Sequence, residues 1–248
     1  MIDTHTHLDA CDGAVHTVLA RAREAGVDRV ITVGTGIDSC RRALEVADEQ
    51  RGVYAVLGIH PHDADSADAD RLDELRELLA HERAVAVGET GLDHYRDYAP
   101  RDAQRHLFEE QLALAADLGL PAVIHSRAAA DATVEVLAGF SGEVVLHCFS
   151  EPALLEVALE RGYYVSFAGN VTYPRAAELR EAARSVPDER ILTETDCPYL
   201  APQPVRGRSN EPAYLVHTVD ELAAARGTSR RELEVIVDAN ADRLFGLR

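Results

Sequence analysis

The stretch Ile2-Asp3-Thr4-His5-Thr6-His7 places two histidines two residues apart at the start of the chain. Side chains of a β-strand alternate between its two faces, so residues i and i+2 point the same way. His5 and His7 can therefore bind one metal ion from a rigid element. Neutral imidazole favours zinc or another transition metal, whereas carboxylates also accept manganese or magnesium. The stretch thus predicts a metal site at the end of a first strand.

Short apolar runs rich in β-branched residues recur along the chain and predict seven further strands. Several of these runs are continuously apolar, which is typical of strands that are covered on both faces. The eight predicted strands are Ile2–His5, Arg29–Val33, Val53–Ile59, Ala84–Gly88, Ala122–His125, Val144–Cys148, Tyr163–Phe167 and Ile191–Glu194.

Amphipathic segments between the strands predict helices, among them Ala14–Ala25, Asp68–His81, Arg101–Leu118 and Pro152–Arg161. A capping-box pattern at Ser229 predicts the start of a last helix. Strands that alternate with helices indicate an α/β fold, and eight of them predict a (β/α)8 TIM barrel formed by one domain over residues 1–248. A doubly wound open sheet is the alternative. We favour the barrel because metal-capable residues follow both the first and the last strand, and only closure brings those strands together.

Single metal-capable residues follow the later strands, where the chemistry of such barrels is found. Glu89 follows an apolar run, and burying an unpaired carboxylate there would be costly. It therefore either pairs with an arginine or bridges two cations; two such cations, about 3.5–4 Å apart, would clamp the attacking and leaving oxygens. His125 and His147 end adjacent predicted strands at equivalent positions. The full set of predicted metal ligands is His5, His7, Glu89, His125, His147 and Asp196.

Asp196 follows the last strand, where it could take a proton from a water molecule activated by a metal ion. We therefore predict catalytic roles for Asp196 and Glu89. Asp3 is expected to hydrogen-bond a ligand histidine, and Glu194 to orient a neighbour or pair with an arginine. Cys148, which follows His147 directly, is expected to point away from the metal.

Five further residues are predicted to contact the substrate. His60 and His62 follow the third strand and could donate hydrogen bonds to a phosphate or carbonyl oxygen. Three arginines lie after a strand end or in the long Pro198–Ser209 loop, and arginine is suited to bidentate phosphate contacts. The predicted substrate-binding set is His60, His62, Arg127, Arg206 and Arg208.

The chain has 248 residues, and its 43 acidic residues against 25 arginines give a net charge of −18. Such a surface repels polyanions at long range and argues against a broad nucleic-acid footprint, but not against a narrow cleft that holds one phosphate. The four cysteines are scattered, so we expect no disulfide framework. We also expect no signal peptide and no membrane segment, and therefore a cytoplasmic protein; its oligomeric state is open, and a monomer is plausible.

Taken together, these motifs resemble the TatD family of metal-dependent hydrolases within the amidohydrolase-like barrels. The resemblance runs from the first strand to the last helix. It rests on Asp3–His7, Gly58–His62, Gly88–Asp93, His125–Arg127, His147–Ser150, Glu194–Leu200, Arg206–Arg208 and Asn210–Pro212, and on Gln104, Phe108 and Gln111. Glu151, His94 and Ser209 depart from the family pattern and make the rim of the site less positive.

The resemblance implies a two-metal hydrolase of the kind found in metal-dependent DNases, some of which act as 3′→5′ exonucleases on single strands. It also implies that His5, His7, Glu89 and Asp196 hold one divalent ion, and that Glu89, His125 and His147 hold the other. The ions are zinc, manganese or magnesium.

Three functions remain open on the sequence alone. The first is hydrolysis of phosphodiester bonds at DNA ends. The second is hydrolysis of a carbonyl ester, such as a D-aminoacyl-tRNA, or of a small ester, amide or lactone by the same site, because fold and ligands do not fix the substrate. The third is metal binding in an interaction protein that has no turnover.

Overall fold

The computed structural model describes residues 1–96 and 98–247. Eight strands occur in this part of the chain, and each pairs in parallel with the next strand in the sequence. The strands are β1 Ile2–Thr6, β2 Arg29–Gly34, β3 Val53–Leu57, β4 Ala84–Asp93, β5 Ala122–Arg127, β6 Val144–Leu146, β7 Tyr164–Phe167 and β8 Ile191–Thr193.

Contacts between the first and last strands close the sheet into a barrel. Just beyond β8, the backbone N–H of Asp196 donates to the carbonyl oxygen of His5 at 2.9 Å. One step further, the N–H of His7 donates to the carbonyl oxygen of Cys197 at 2.9 Å. The predicted (β/α)8 barrel is confirmed, and the doubly wound alternative is wrong, because an open sheet would leave β1 and β8 at separate edges.

Helices follow the strands and cover the outside of the barrel with their apolar faces. In the described residues they are α1 Val15–Glu24, α2 Ile37–Glu49, α3 Leu72–Leu79, α4 Arg101–Leu118, α5 Ala130–Leu137, α6 Leu155–Arg161, α7 Ala177–Ser185, α8 Leu215–Arg226 and α9 Arg230–Phe245. Short 3-10 turns fill several loops, including Pro152–Leu154 before α6. None of the helices in these residues is both long and apolar enough to cross a bilayer.

Several predicted boundaries differ from those of the structure. The helix predicted over Asp68–His81 begins only at Leu72, because the Asp68 carboxylate accepts a hydrogen bond from the N–H of Ile37 at the start of α2. β4 continues past Gly88 to Asp93, since its second half also pairs with β5. β6 ends at Leu146, two residues earlier than predicted. Both strand differences fall at the carboxyl end of the barrel, where the backbone bends to present side chains.

Candidate metal centre

The six predicted ligands converge at the carboxyl ends of the strands, although they come from five different strands or the loops that follow them. Potential ligand atoms form three overlapping triples, and within each triple they lie within 4.8 Å of one another. The triples are His5–Glu89–His147, His5–His7–Asp196 and His60–Glu89–His125.

Glu89 lies at the middle of the cluster and presents its two oxygens to different sides. Oε1 lies 2.6 Å from Nδ1 of His125 and 2.9 Å from Nε2 of His147. Oε2 faces the other side, 3.4 Å from Nε2 of His5 and 3.8 Å from Nε2 of His7. Nε2 of His7 also lies 3.5 Å from Oδ1 of Asp196. A carboxylate with this placement has the geometry needed to contact two cations at once.

A close approach of two backbones aligns Glu89 with its partners. β4 runs against β5 so closely that a Cβ on Gly91 would lie 2.0 Å from the carbonyl oxygen of His125. Gly91 also has a φ of +138°, a conformation that L side chains rarely adopt. Glycine is therefore required two residues after Glu89, where the strands bring Glu89 and His125 together.

Burial and charge set the protonation of the cluster without a metal ion. Burial alone would raise the pKa of Glu89, but His147 and His60 hold that pKa well below its usual range. Burial would likewise lower the pKa of His147, but Glu89 and Glu194 raise it well above the ordinary histidine value. The apo centre thus holds an ionised glutamate against a protonated histidine. Because metal ions bind neutral imidazole, cations and protons compete for this site.

Glu194 orients its neighbours, one of the two roles predicted for it. Oε1 accepts hydrogen bonds from the backbone N–H of Cys148 at 2.6 Å and from Nδ1 of His147 at 3.2 Å. Oε2 accepts from Oγ of Ser166 at 2.5 Å. A histidine that donates through Nδ1 is left with Nε2 to act as a ligand.

The prediction that Asp3 hydrogen-bonds the imidazole of a ligand histidine is wrong. Its carboxylate accepts from the backbone N–H and the hydroxyl of Thr195, at 2.9 and 2.6 Å, and from the backbone N–H of His5 at 3.4 Å. Burial raises the pKa of Asp3 to about 8. Asp3 therefore ties the residue before Asp196 to β1 and stabilises the junction where the barrel closes.

The prediction that Cys148 points away from the centre is wrong. Burial and the nearby Asp196, Glu194 and Glu89 raise the pKa of the Cys148 thiol well above its ordinary value, which places the thiol beside these carboxylates. Alternation fails because β6 has already ended and Cys148 has a φ of +46°. All four cysteines are free, as expected.

His60 and His62, which were predicted to contact the substrate, lie beside the cluster. Nε2 of His60 is 3.4 Å from Oε1 of Glu89. Nδ1 of His60 accepts the backbone N–H of His62 at 3.1 Å, so the neutral ring carries its proton on Nε2. Burial lowers the pKa of His60 and favours this neutral form.

Asp93 belongs to the same surroundings, and sequence reasoning assigned it no role. It is fully buried, and its Oδ2 accepts a hydrogen bond from Nε2 of His62 at 2.7 Å and lies 3.4 Å from Nε2 of His125. Burial would raise its pKa, but the nearby imidazoles of His125 and His62 lower it. The spacing of four residues between Glu89 and Asp93 places both on one face only because β4 continues to Asp93, which the sequence does not show.

The three predicted arginines lie outside the cluster. Arg127 is exposed and its guanidinium carbon lies 4.2 Å above the centre of the Tyr95 ring. Arg206 covers the ring of Tyr173 at 4.0 Å. Arg208 is exposed and its side chain forms no hydrogen bond or ion pair within residues 1–96 and 98–247. Their contact with substrate stays a prediction.

The donor set fits divalent metal ions. Both ring nitrogens of His5 are buried and neither makes a hydrogen bond to any described residue, although Nε2 lies near Glu89. Burying two polar atoms without partners costs free energy, and coordination of a metal ion by one of them would offset part of that cost. Imidazoles combined with carboxylates are donors suited to zinc or manganese.

Comparisons with known proteins agree with this geometry. The family model described as TatD related DNase matches residues 2–246. The uncharacterized metal-dependent hydrolase TatD of Mycobacterium tuberculosis is 40% identical, over 100% of this chain and 98% of that protein. The 3'-5' ssDNA/RNA exonuclease TatD of Citrobacter rodentium is 37% identical, over 93% of this chain and 91% of its own length.

A solved structure extends the likeness to the fold. The crystal structure of YJJV, a TatD homolog from Escherichia coli K12, superposes with a TM-score of 0.93 at 31% identity and covers 100% of this chain and 98% of that one. The chain therefore belongs to the family of TatD related DNases and is a metal-dependent hydrolase.

Proposed function

We propose that this hydrolase removes nucleotides from the ends of single-stranded DNA with the aid of two divalent ions. The observation that carries the proposal is the position of Glu89, whose two oxygens face separate sets of ligand atoms. The relative from Citrobacter rodentium, named as a 3'-5' ssDNA/RNA exonuclease, supports the substrate class. Residues 2–246 match one family model, which supports the view that residues 1–248 form one catalytic domain.

The residues would divide into two ligand sets. His5, His7, Glu89 and Asp196 would hold one ion, and Glu89, His125 and His147 would hold the second. Two such ions would supply positive charge for the attacking and leaving oxygens of a phosphodiester. Zinc, manganese and magnesium are all candidates, because the site combines imidazole with carboxylate.

The chain's own residues would then bind the phosphate and transfer protons. His60, with its proton on Nε2, can donate a hydrogen bond to a phosphate oxygen. His62 is held by its bond to Asp93, and its ring lies next to that of His60, with centroids 4.2 Å apart. Asp196 can accept a proton from the attacking water, because burial would raise its pKa but His7 and His147 hold it ionised. Arg127 can pair with a further phosphate along the strand.

A matched pair of histidine variants tests the proposal. Chelated protein would be supplied with magnesium, manganese or zinc and assayed on single-stranded DNA, on a duplex and on a D-aminoacyl-tRNA. We expect metal-dependent shortening of the single strand by the wild type and by His106→Ala, since His106 is an exposed residue of α4. We expect His125→Ala to lose this activity by about 10²-fold or more while melting as a folded protein.

Two results would contradict the proposal. Full activity of His125→Ala would remove the second ligand set from the reaction. Metal-loaded wild type that leaves DNA intact but releases the amino acid from the tRNA would assign the site to carbonyl esters. The net charge of −18 is the observation that favours this second function, because it repels long polyanions but not small esters.

A further inference from the structure

Exposed tyrosines surround the carboxyl end of the barrel. Five large apolar side chains are exposed among the described residues, and three of them are tyrosines in loops after strands. Tyr95 and Tyr98 follow β4 and are 64% and 62% exposed, and Tyr199 follows β8 and is 59% exposed. The other two, Leu159 and Val235, lie on outer helices. Aromatic surface is therefore concentrated where the metal centre opens.

Tyr98 and Tyr199 contact opposite ends of the histidine cluster. The Tyr98 ring lies edge-on to His62 with centroids 4.8 Å apart, and the Tyr199 ring lies edge-on to His7 at 6.0 Å. A series of ring contacts, each with centroids within 6.2 Å, joins the two tyrosines. It runs through His62, His125, His147, His5 and His7. Tyr199 thus adjoins His7 of the first proposed ligand set, whereas Tyr98 adjoins His62, whose ring lies near His125 of the second set.

Buried amides hold the two loops in place. Gln104 is fully buried; its Oε1 accepts the N–H of Asp93 at 2.8 Å, and its Nε2 donates to the carbonyl oxygens of Asp93 at 3.3 Å and Ala99 at 2.9 Å. These bonds fix both ends of the segment that carries Tyr98. The side-chain amide of Asn210 likewise donates to the carbonyl oxygen of Tyr199 at 2.6 Å. The rings are exposed, but their backbone positions are set before a ligand arrives.

Tyr95 differs from the other two tyrosines, because Arg127 already covers its ring at 4.2 Å. The guanidinium uses that aromatic face through a cation–π contact and keeps its charge at the mouth of the site. No cation covers the ring of Tyr98 or Tyr199 among the described residues. These two rings have faces available for a flat partner.

We propose that Tyr98 and Tyr199 stack unpaired nucleobases on the two sides of the phosphodiester that is cleaved. The inference rests on the proposed function and adds a base-binding site to it. Stacking suits a strand of any sequence because every base has a π-face, and it needs no hydrogen bond to a base edge. A base pair inside a duplex has both faces covered and the terminal pair has one face free, so only an unpaired end can offer two successive bases to the two tyrosines. The phosphate between two stacked bases would then lie over the histidine cluster.

Binding to a strand with and without bases tests this inference. The probe is an oligothymidylate with a dye at its 5′ end, compared by fluorescence anisotropy with an equally long strand of base-free residues, in calcium to suppress turnover. Tyr98→Leu and Tyr199→Leu should each raise the Kd for oligothymidylate by about 5- to 150-fold. Neither should change the Kd for the base-free strand. Tyr98→Phe and Tyr199→Phe keep the ring and should stay within about twofold of the wild type.

Leu159→Ala is the control, because it removes an exposed apolar side chain from α6. The inference is overturned if the leucine variants bind oligothymidylate as the wild type does, or if they weaken binding of both strands equally. It is also overturned if the wild type does not prefer the strand that carries bases. The proposed function is judged separately by strand shortening in manganese. If binding depends on the tyrosines but the strand is not shortened, base stacking is supported and the nuclease activity is refuted. If the strand is shortened but binding does not depend on the tyrosines, the nuclease activity is supported and base stacking is refuted.

Discussion

At the level of single residues, the contact between Glu89 and His147 decides how the apo protein responds to pH. Nε2 of His147 lies 2.9 Å from Glu89, and Nδ1 lies 3.2 Å from Glu194. The pKa of His147 is raised, so its proton stabilises the fold fully below the unfolded value near 6.5, and this contribution is lost as pH rises through the folded value. We therefore expect the metal-free protein to lose stability as pH rises above neutrality, and His147→Gln to reduce that dependence; Asp3, whose pKa burial raises to about 8, supplies another part of it.

Metal binding should show the opposite pH dependence, because the ion displaces the proton. Below the folded pKa of His147, apparent affinity should rise by about tenfold per pH unit for each proton released. Calorimetric titration with zinc in two buffers of different ionisation enthalpy measures the proton count. Affinity that is constant across this range, with no proton release, would show that His147 is neutral in the apo protein.

Residue types and spacing predicted much of this cluster. Strand alternation was enough to pair His5 with His7, and the equivalent positions of His125 and His147 placed them together. Asp93 was overlooked because the sequence does not show that β4 continues five residues past Gly88. Cys148 was placed wrongly because a single residue with positive φ redirects its side chain. Local periodicity predicts side-chain direction only while the strand continues.

At the level of elements, α4 positions two strands of the centre through Gln111. Its Oε1 accepts the N–H of Ile59 at 2.8 Å, and its Nε2 donates to the carbonyl oxygen of Ile59 at 2.9 Å and to the hydroxyl of Thr90 at 2.7 Å. These residues precede His60 and follow Glu89. One buried amide therefore fixes the spacing between β3 and β4.

Gln111→Leu keeps the size of the side chain and removes these bonds. We expect a loss in the free energy of unfolding of about 1–3 kcal/mol for each buried group left unpaired, together with reduced turnover. Denaturant unfolding measures the first effect. Gln203→Leu is the matched control, since Gln203 is exposed. Equal stability of the two variants would contradict the role assigned to Gln111.

The start of α9 agrees with its sequence pattern. Oγ of Ser229 accepts the N–H of Glu232 at 3.2 Å, and the Glu232 carboxylate accepts the N–H of Ser229 at 2.9 Å. Ser229→Ala should lower the free energy of unfolding by about 0.5–2 kcal/mol without changing turnover, because α9 carries no residue of the centre. Thermal melts compared with Ser185→Ala, an exposed serine of α7, provide the measurement. A melting temperature equal to that of the wild type would show that this cap adds nothing to the stability of the fold.

At the level of the whole molecule, closure of the barrel brings the ligand sets together. His5 and His7 lie at one end of the sequence and Asp196 near the other, and the hydrogen bonds between β1 and the segment after β8 join them. The sequence predicted this closure because metal-capable residues follow both the first and the last strand, and only a closed barrel brings those strands together. The tyrosines and arginines of the rim could not be placed in the same way, since loop conformation depends on tertiary contacts such as those of Gln104 and Asn210.

The proposed hydrolysis requires two divalent ions at the same time, held on the two sides of Glu89. The most direct test of this requirement is to titrate manganese into chelated protein while bound metal and single-strand shortening are followed in the same samples. We predict that shortening begins only as the second ion per chain is bound, and that His125→Ala binds the first ion but stays inactive. Full shortening by the chelated protein, or with one ion bound per chain, would contradict the account.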